Sequence, residues 1–253
     1  MPGPSAWHVA AAVFTAGFFL LLTVQAYAQA VFCGVVAVLC VIRWLWETDR
    51  PVAPEQVNIG AGISVPTYAT GPHTHGWWAM TVLLIVIGMI WLMTVFSYVF
   101  LYGIHPGFWN APPEPAWLLP LLSGYGGSAG LALFARLLLA KEGSSLWTPP
   151  TLLLCATALL VVTFLGDWWS WTALELAPEL TAQGALVAAF LGLNGMLVAI
   201  AALMGLYIAA RASRGLVTKP RNNSFDLVVI FIVYTAGQSA LSALLVRLFP
   251  GAL

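Results

Sequence analysis

Seven mostly apolar stretches, separated by polar breaks, constrain this chain more than any motif in it. They run near Trp7–Val24, Ala30–Trp46, Trp77–Tyr102, Trp117–Ala140, Leu146–Gly166, Ala182–Ala210 and Leu227–Phe249. A helix needs roughly 20 such residues to cross a hydrocarbon layer about 30 Å thick. Only 7% of the residues are charged and 61% are hydrophobic, whereas a soluble domain carries about 25% charged and about 45–50% apolar residues. So little charge cannot cover a water-facing surface, and the outside of the molecule must face lipid. The sequence therefore predicts an all-α polytopic membrane protein with seven transmembrane helices.

The first two stretches are parted only by Gln25-Ala-Tyr-Ala-Gln29 and are together too long for one span. This predicts a tight two-helix transmembrane hairpin over residues 1–46. The Ala26-Tyr-Ala28 and Ala28-Gln-Ala30 triplets resemble signal cleavage sites. The segment Met1–His8 holds no Lys or Arg, however, and a secretory signal normally begins with basic residues; the first helix is therefore expected to be retained. Residues 47–76 carry Pro51, Pro54, Gly60, Gly62, Pro66, Gly71 and Pro72, which interrupt helices repeatedly and predict a polar surface loop on the cytoplasmic side. Residues 77–253 are then a five-helix transmembrane bundle, with loops short enough to make successive helices antiparallel.

Eight of the nine basic residues fall at or after the ends of the second, fourth and sixth stretches: Arg43, Arg50, Arg136, Lys141, Arg211, Arg214, Lys219 and Arg221. Arg247 alone falls at the other end. Basic residues concentrate on the cytoplasmic side of membrane proteins, so the N-terminus is expected in the cytoplasm of a bacterial cell and the C-terminus outside its inner membrane. The net charge is zero, and nothing points to nucleic acid as a partner. Cys33, Cys40 and Cys155 lie in apolar runs without a CxxC pair, and read as small buried hydrophobes.

Ionisable side chains inside a membrane mark proton paths, ion sites or cofactors. None falls in the middle of a predicted span. A retinal protein needs a lysine deep in a helix, but Lys141 and Lys219 are in loops. A haem-binding cytochrome needs facing imidazoles, but His8, His73, His75 and His105 sit at helix ends. Ion-coupled transporters usually carry a mid-membrane carboxylate, which no predicted span supplies. His73 and His75, with His8, are the nearest approach to a metal-ligand set and read more plainly as capping or solvated residues. No catalytic, metal or cofactor-binding residue is expected in this chain.

The helices offer packing instead. Gly126 and Gly130 form a GxxxG step in a segment dense in small residues, the pattern that brings two backbones close in lipid. Asn194 and Gln238 fall near mid-span, and with Tyr98 they are expected to make interhelical polar contacts, since a buried amide is costly unless hydrogen-bonded. Most of the twelve tryptophans lie at helix ends, as an interfacial belt does. Arg43, Arg136 and Arg211 end helices at the expected cytoplasmic interface, where guanidinium groups can hold lipid phosphates; ordinary topology-setting charge is the plainer reading.

Several segments resemble subunit III of haem–copper oxidases, in particular the form found as the C-terminal part of bacterial fused I+III chains. Arg43-Trp-Leu-Trp-Glu-Thr-Asp-Arg-Pro51 follows the second stretch; Thr67-Tyr-Ala-Thr-Gly-Pro72 and His75-Gly-Trp-Trp-Ala-Met80 lead into the third, which contains Phe96-Ser-Tyr-Val-Phe-Leu-Tyr102. Phe225-Asp226, Tyr234-Thr-Ala-Gly-Gln238 and Leu248-Phe-Pro250 resemble the family's last helix. The chain departs from the family pattern at three places. Ser97-Tyr98 stands where Ser-Glu is usual, Gly192–Val198 lacks the family's two histidines, and Ile232-Val233 replaces a Trp-His pair. The resemblance implies two helices set apart from five and no metal or haem in this chain. It further implies partnership with subunit II and with catalytic subunit I, in which haem and copper are expected, along with bound phospholipid and support of proton uptake. Two other readings stay open at this point: a neutral small-molecule transporter using Asn194 and Gln238, and a membrane scaffold or assembly protein outside any oxidase.

Overall fold

The computed structural model describes residues 6–48, 56–66, 74–109, 117–141, 148–172, 178–218 and 222–249. Their helices are α1 (Trp7–Thr23), α2 (Tyr27–Thr48), α3 (His75–Ile104), α4 (Leu118–Ala140), α5 (Thr148–Thr172), α6 (Ala182–Ser213) and α7 (Asn223–Leu248). Six of them, α2 to α7, are long and apolar enough to cross a membrane. The chain is a multi-pass membrane protein. α1 has 17 residues, about 25 Å of helix at about 1.5 Å per residue, and falls short of that length.

The chain divides into two compact units, Met1–Thr67 and Tyr68–Leu253. In the first, α1 turns back into α2 through Val24, Gln25 and Ala26, with Gln25 in the left-handed region at φ 60°. The helices stay paired along their length. Trp7 Nε1 donates to Glu47 Oε1 at 3.0 Å, and near the turn the Phe18 ring lies 3.1 Å from where a Cβ on Gly34 would stand. Part of the interval expected as loop is a small antiparallel hairpin, β1 (Gln56–Asn58) with β2 (Ser64–Pro66). Val57 opposite Val65 supplies β-formers, and the turn runs through Gly60, Ala61 and Gly62, all at positive φ.

In the second unit α7 is the central helix, touching α3, α4, α5 and α6. Its buried positions run from Phe225 to Arg247 around most of its circumference, so it is enclosed nearly all round, as a central helix is, rather than along one stripe. α4 packs on α5 and α7, and α3 rests on α6 and α7. Helix starts are capped where the sequence offers hydroxyls: Thr74 Oγ1 accepts from Trp77 N, and Thr181 Oγ1 from Gly184 N. Gly215, at φ 67°, lets the chain leave α6 while Leu216 N donates to Arg211 O.

Small residues do bring helices together, but at other positions than the GxxxG step. A Cβ on Gly124 would collide with Thr163, one on Gly195 would sit 2.8 Å from Phe164 Cζ, and one on Gly205 would sit 2.5 Å from Thr157 Oγ1. Gly126 and Gly130 meet nothing within 4 Å. The reason is helical phase. The buried stripe of α4 is Leu121, Tyr125, Ser128, Ala132, Ala135 and Leu139, and Gly126 and Gly130 lie off it.

Candidate functional site

The most heavily built polar site joins α4, α5 and α7 near the C-terminal ends of α5 and α7. Arg247, in the last turn of α7, donates through Nη1 to Asp167 Oδ1 at 2.9 Å, with side-chain exposures of 0% and 4%. Arg247 Nη2 also donates to Ser170 Oγ. Ser170 in turn donates to the Asp167 carbonyl at 2.7 Å. Tyr125 of α4 donates to the other carboxylate oxygen at 3.4 Å. The guanidinium lies over the Trp171 ring, 5.2 Å from its centroid. Each carboxylate oxygen therefore has a donor, and the cation has a carboxylate, a hydroxyl and an aromatic face. Desolvating one charge alone is very costly, whereas a paired and hydrogen-bonded cluster with no net charge is tolerated. Chemically the site is a neutral clamp on three helices.

Sequence reasoning missed it. The fifth span was expected to end at Gly166, but α5 continues to Thr172, which brings Asp167 and Ser170 into the bundle. Arg247 was read only as the one basic residue on its side. The available signal was Arg247, the lone base at its end of the bundle, and Asp167, an acid at the same end on a span running in the same direction.

A second polar contact lies deeper. Gln238 Nε2 donates to Asn194 Oδ1 at 3.3 Å, joining α7 to α6, and Trp91 Nε1 of α3 donates to Ser242 Oγ at 2.8 Å. Tyr98, fully buried, sits at the end of α3 in an aromatic cluster. Its hydroxyl donates to the Phe249 carbonyl at 3.2 Å and accepts from Trp109 Nε1 at 3.3 Å, with Phe190 packed against the ring.

The three arginines have different settings. Arg136 on α4 holds Asp226 on α7 through Nε at 3.0 Å and is half exposed, with a side-chain value of 52%. Its Nη groups make no hydrogen bond among the described residues. Arg43 pairs with Glu47 one turn along α2 at 3.4 Å. Arg211 lies over the Tyr207 ring at 5.8 Å. Of the histidines, His8 packs against Trp44 and His75 opens α3; His73 lies outside the described residues.

No protein-family model matches the chain, and no curated protein aligns with it significantly.

Proposed function

We propose that this chain is the accessory subunit III of a respiratory haem–copper terminal oxidase, seated in a bacterial inner membrane with its N-terminus inside. The observation that carries the reading is the division of the helices into a unit of two and a unit of five at Thr67/Tyr68. The subunit III family likewise sets two helices apart from five, and of the segments that resemble it Arg43–Pro51 precedes this break, Thr67–Pro72 spans it and His75–Met80 follows it.

On this reading α1, the shortest of the helices, is the seventh span. The role is mechanical and lipidic rather than catalytic. α3 buries few of its own residues and presents Trp78, Ile85, Met89 and Phe96 outward, a surface suited to lipid or to catalytic subunit I. Haem and copper belong to the partner, phospholipid to this chain. Arg136, half exposed and with Nη groups that make no hydrogen bond to a described residue, is the leading headgroup ligand, and Arg43 and Arg211 are weaker ones. Holding phospholipid beside subunit I is how the chain would sustain proton uptake and prolong the enzyme's working life.

The test is mild-detergent purification of the tagged full chain from native membranes, with a reduced-minus-oxidised spectrum and peptide identification. Haem bands together with a many-helix partner support the proposal. A folded, haem-free and partnerless product at full yield rejects it, and would favour a transporter or a scaffold.

A further inference from the structure

The segment Gln56–Pro66 reads Gln-Val-Asn-Ile-Gly-Ala-Gly-Ile-Ser-Val-Pro, with a branched aliphatic at every second position on either side of the turn. Successive side chains of a strand point to opposite faces. Val57 pairs with Val65 and Asn58 with Ser64, and Ile59 N donates to the Ile63 carbonyl at 3.0 Å, one step nearer the turn. Val57, Ile59, Ile63 and Val65 therefore share one face, and Gln56, Asn58 and Ser64 share the other. The tip is fixed locally: Gly60 N donates to Asn58 Oδ1 at 2.9 Å, and Ile63 N to the Gly60 carbonyl at 3.0 Å.

The apolar face is open. Ile59 is 65% and Ile63 55% exposed, and Val57 and Val65 are exposed as well. A lone two-stranded hairpin is marginal in water, and strands that face water are commonly guarded by charged side chains. No Asp, Glu, Lys, Arg or His occurs between Glu55 and His73. The hairpin thus lacks both the charge that suits open water and the charge that would fix the register of a docked protein.

Chain connectivity says which apolar phase lies next to that face. α2 and α3 are both long and apolar enough to cross a membrane, so the segment joining them starts and ends at one bilayer face. Seven residues separate Thr48, the end of α2, from Gln56, a reach of no more than about 30 Å. Trp44 and Trp46, near the end of α2, mark the interfacial layer there. The hairpin is tethered to lipid, which is always within its reach. It cannot sink into the hydrocarbon core, because two unpaired strand edges would give up their hydrogen bonds to water. In the plane of the interface, aliphatic side chains meet the first acyl carbons, while the polar face and the strand edges keep water and headgroup contacts, as in interfacial amphipathic helices.

We propose that the β1–β2 hairpin is a lipid-docking element that lies flat on the membrane surface, with Val57, Ile59, Ile63 and Val65 seated among the outermost acyl carbons and Gln56, Asn58 and Ser64 facing water. The assignment does not depend on the chain belonging to an oxidase.

The test uses the full chain in phosphatidylcholine nanodiscs, with Cys33→Ala, Cys40→Ala and Cys155→Ala so that one introduced cysteine carries a nitroxide. Ile59→Cys, Ile63→Cys, Gln56→Cys and Ser64→Cys are labelled in turn. Collisions with molecular oxygen, which concentrates in lipid, are compared with those of a water-soluble nickel chelate. The oxygen-to-nickel ratio should be at least about fivefold higher at 59 and 63 than at 56 and 64, since alternate positions face opposite sides. The unaltered chain gives a second reading that needs no cysteine change. A phosphatidylcholine with a diazirine near the ester end of its acyl chain should label Ile59 and Ile63, and Ile59→Asp with Ile63→Asp should abolish that label while labelling of α2 and the melting curve stay unchanged. Few collisions with either reagent at 59 and 63 overturn the proposal, because protein then covers the face. Nickel collisions prevailing at all four positions overturn it too, because the face then meets water, and so does a hairpin peptide that takes no label from the lipid.

Discussion

Arg247 carries a full charge on a side chain with no exposure, and its tolerance rests on Asp167, Ser170 and Trp171 together. Removing one partner strands the other: Arg247→Met should destabilise the purified chain by about 3–5 kcal/mol, because Asp167 is then buried without its cation. The double replacement Asp167→Leu with Arg247→Met removes both charges and should recover much of that loss. Thermal unfolding in detergent reads both variants, and strictly additive losses would contradict the pairing. Arg136 poses the opposite case, since it is half exposed and its contact with Asp226 is worth at most about 1 kcal/mol. Arg136→Ala should lower the phospholipid that copurifies with the chain, while Asp226→Asn, which frees the guanidinium, should leave it unchanged or raise it. Mass spectrometry of extracted lipid distinguishes these outcomes; an unchanged lipid content in Arg136→Ala would remove that residue from the lipid site.

At the scale of helices, close packing is set by which face each glycine occupies. Gly205→Ala places a methyl 2.5 Å from Thr157 Oγ1, which is bonded back to the Leu153 carbonyl. Overpacking of this kind should cost about 1–3 kcal/mol. Gly130→Ala meets open space and should be neutral or stabilise by up to about 1 kcal/mol through helix propensity. Equal melting temperatures for the two variants would refute the assignment of the packing face. The same contrast explains what could be read without coordinates. Helix positions were legible because apolar length alone marks a span, and six of the stretches became long apolar helices, within a few residues except at the end of α5. Faces were not legible: in α4 and α6 polar and apolar residues do not segregate around the helix, since lipid and core are both apolar. The GxxxG step therefore looked like a contact, and the contacts made by Gly124, Gly195 and Gly205 carried no distinguishing pattern. The end of α5 was lost for a related reason. Asp167 followed by Trp168-Trp169 reads as an interface, and only the partner on α7 shows that the helix continues.

For the molecule as a whole, the division at Thr67/Tyr68 makes a claim about independence. The helices on which α7 packs, α3 to α6, lie within Tyr68–Leu253, as do the Asp167–Arg247 clamp and the Asn194–Gln238 bond. Within that fragment six of the seven basic residues, from Arg136 to Arg221, still lie at one end of the spans, with Arg247 alone at the other. Basic asymmetry sets orientation even when the first helices are missing. Residues 68–253 expressed alone should therefore insert with the α4–α5 and α6–α7 connections on the cytoplasmic side, and should melt within a few degrees of the full chain. Cysteine-accessibility labelling of those two connections reads the orientation, and circular dichroism on heating reads the stability. A fragment that inserts correctly but melts far lower would mean that the first unit contributes to the bundle's stability. One that inserts inverted would mean that α1 and α2, rather than the basic residues, fix the topology of the whole chain.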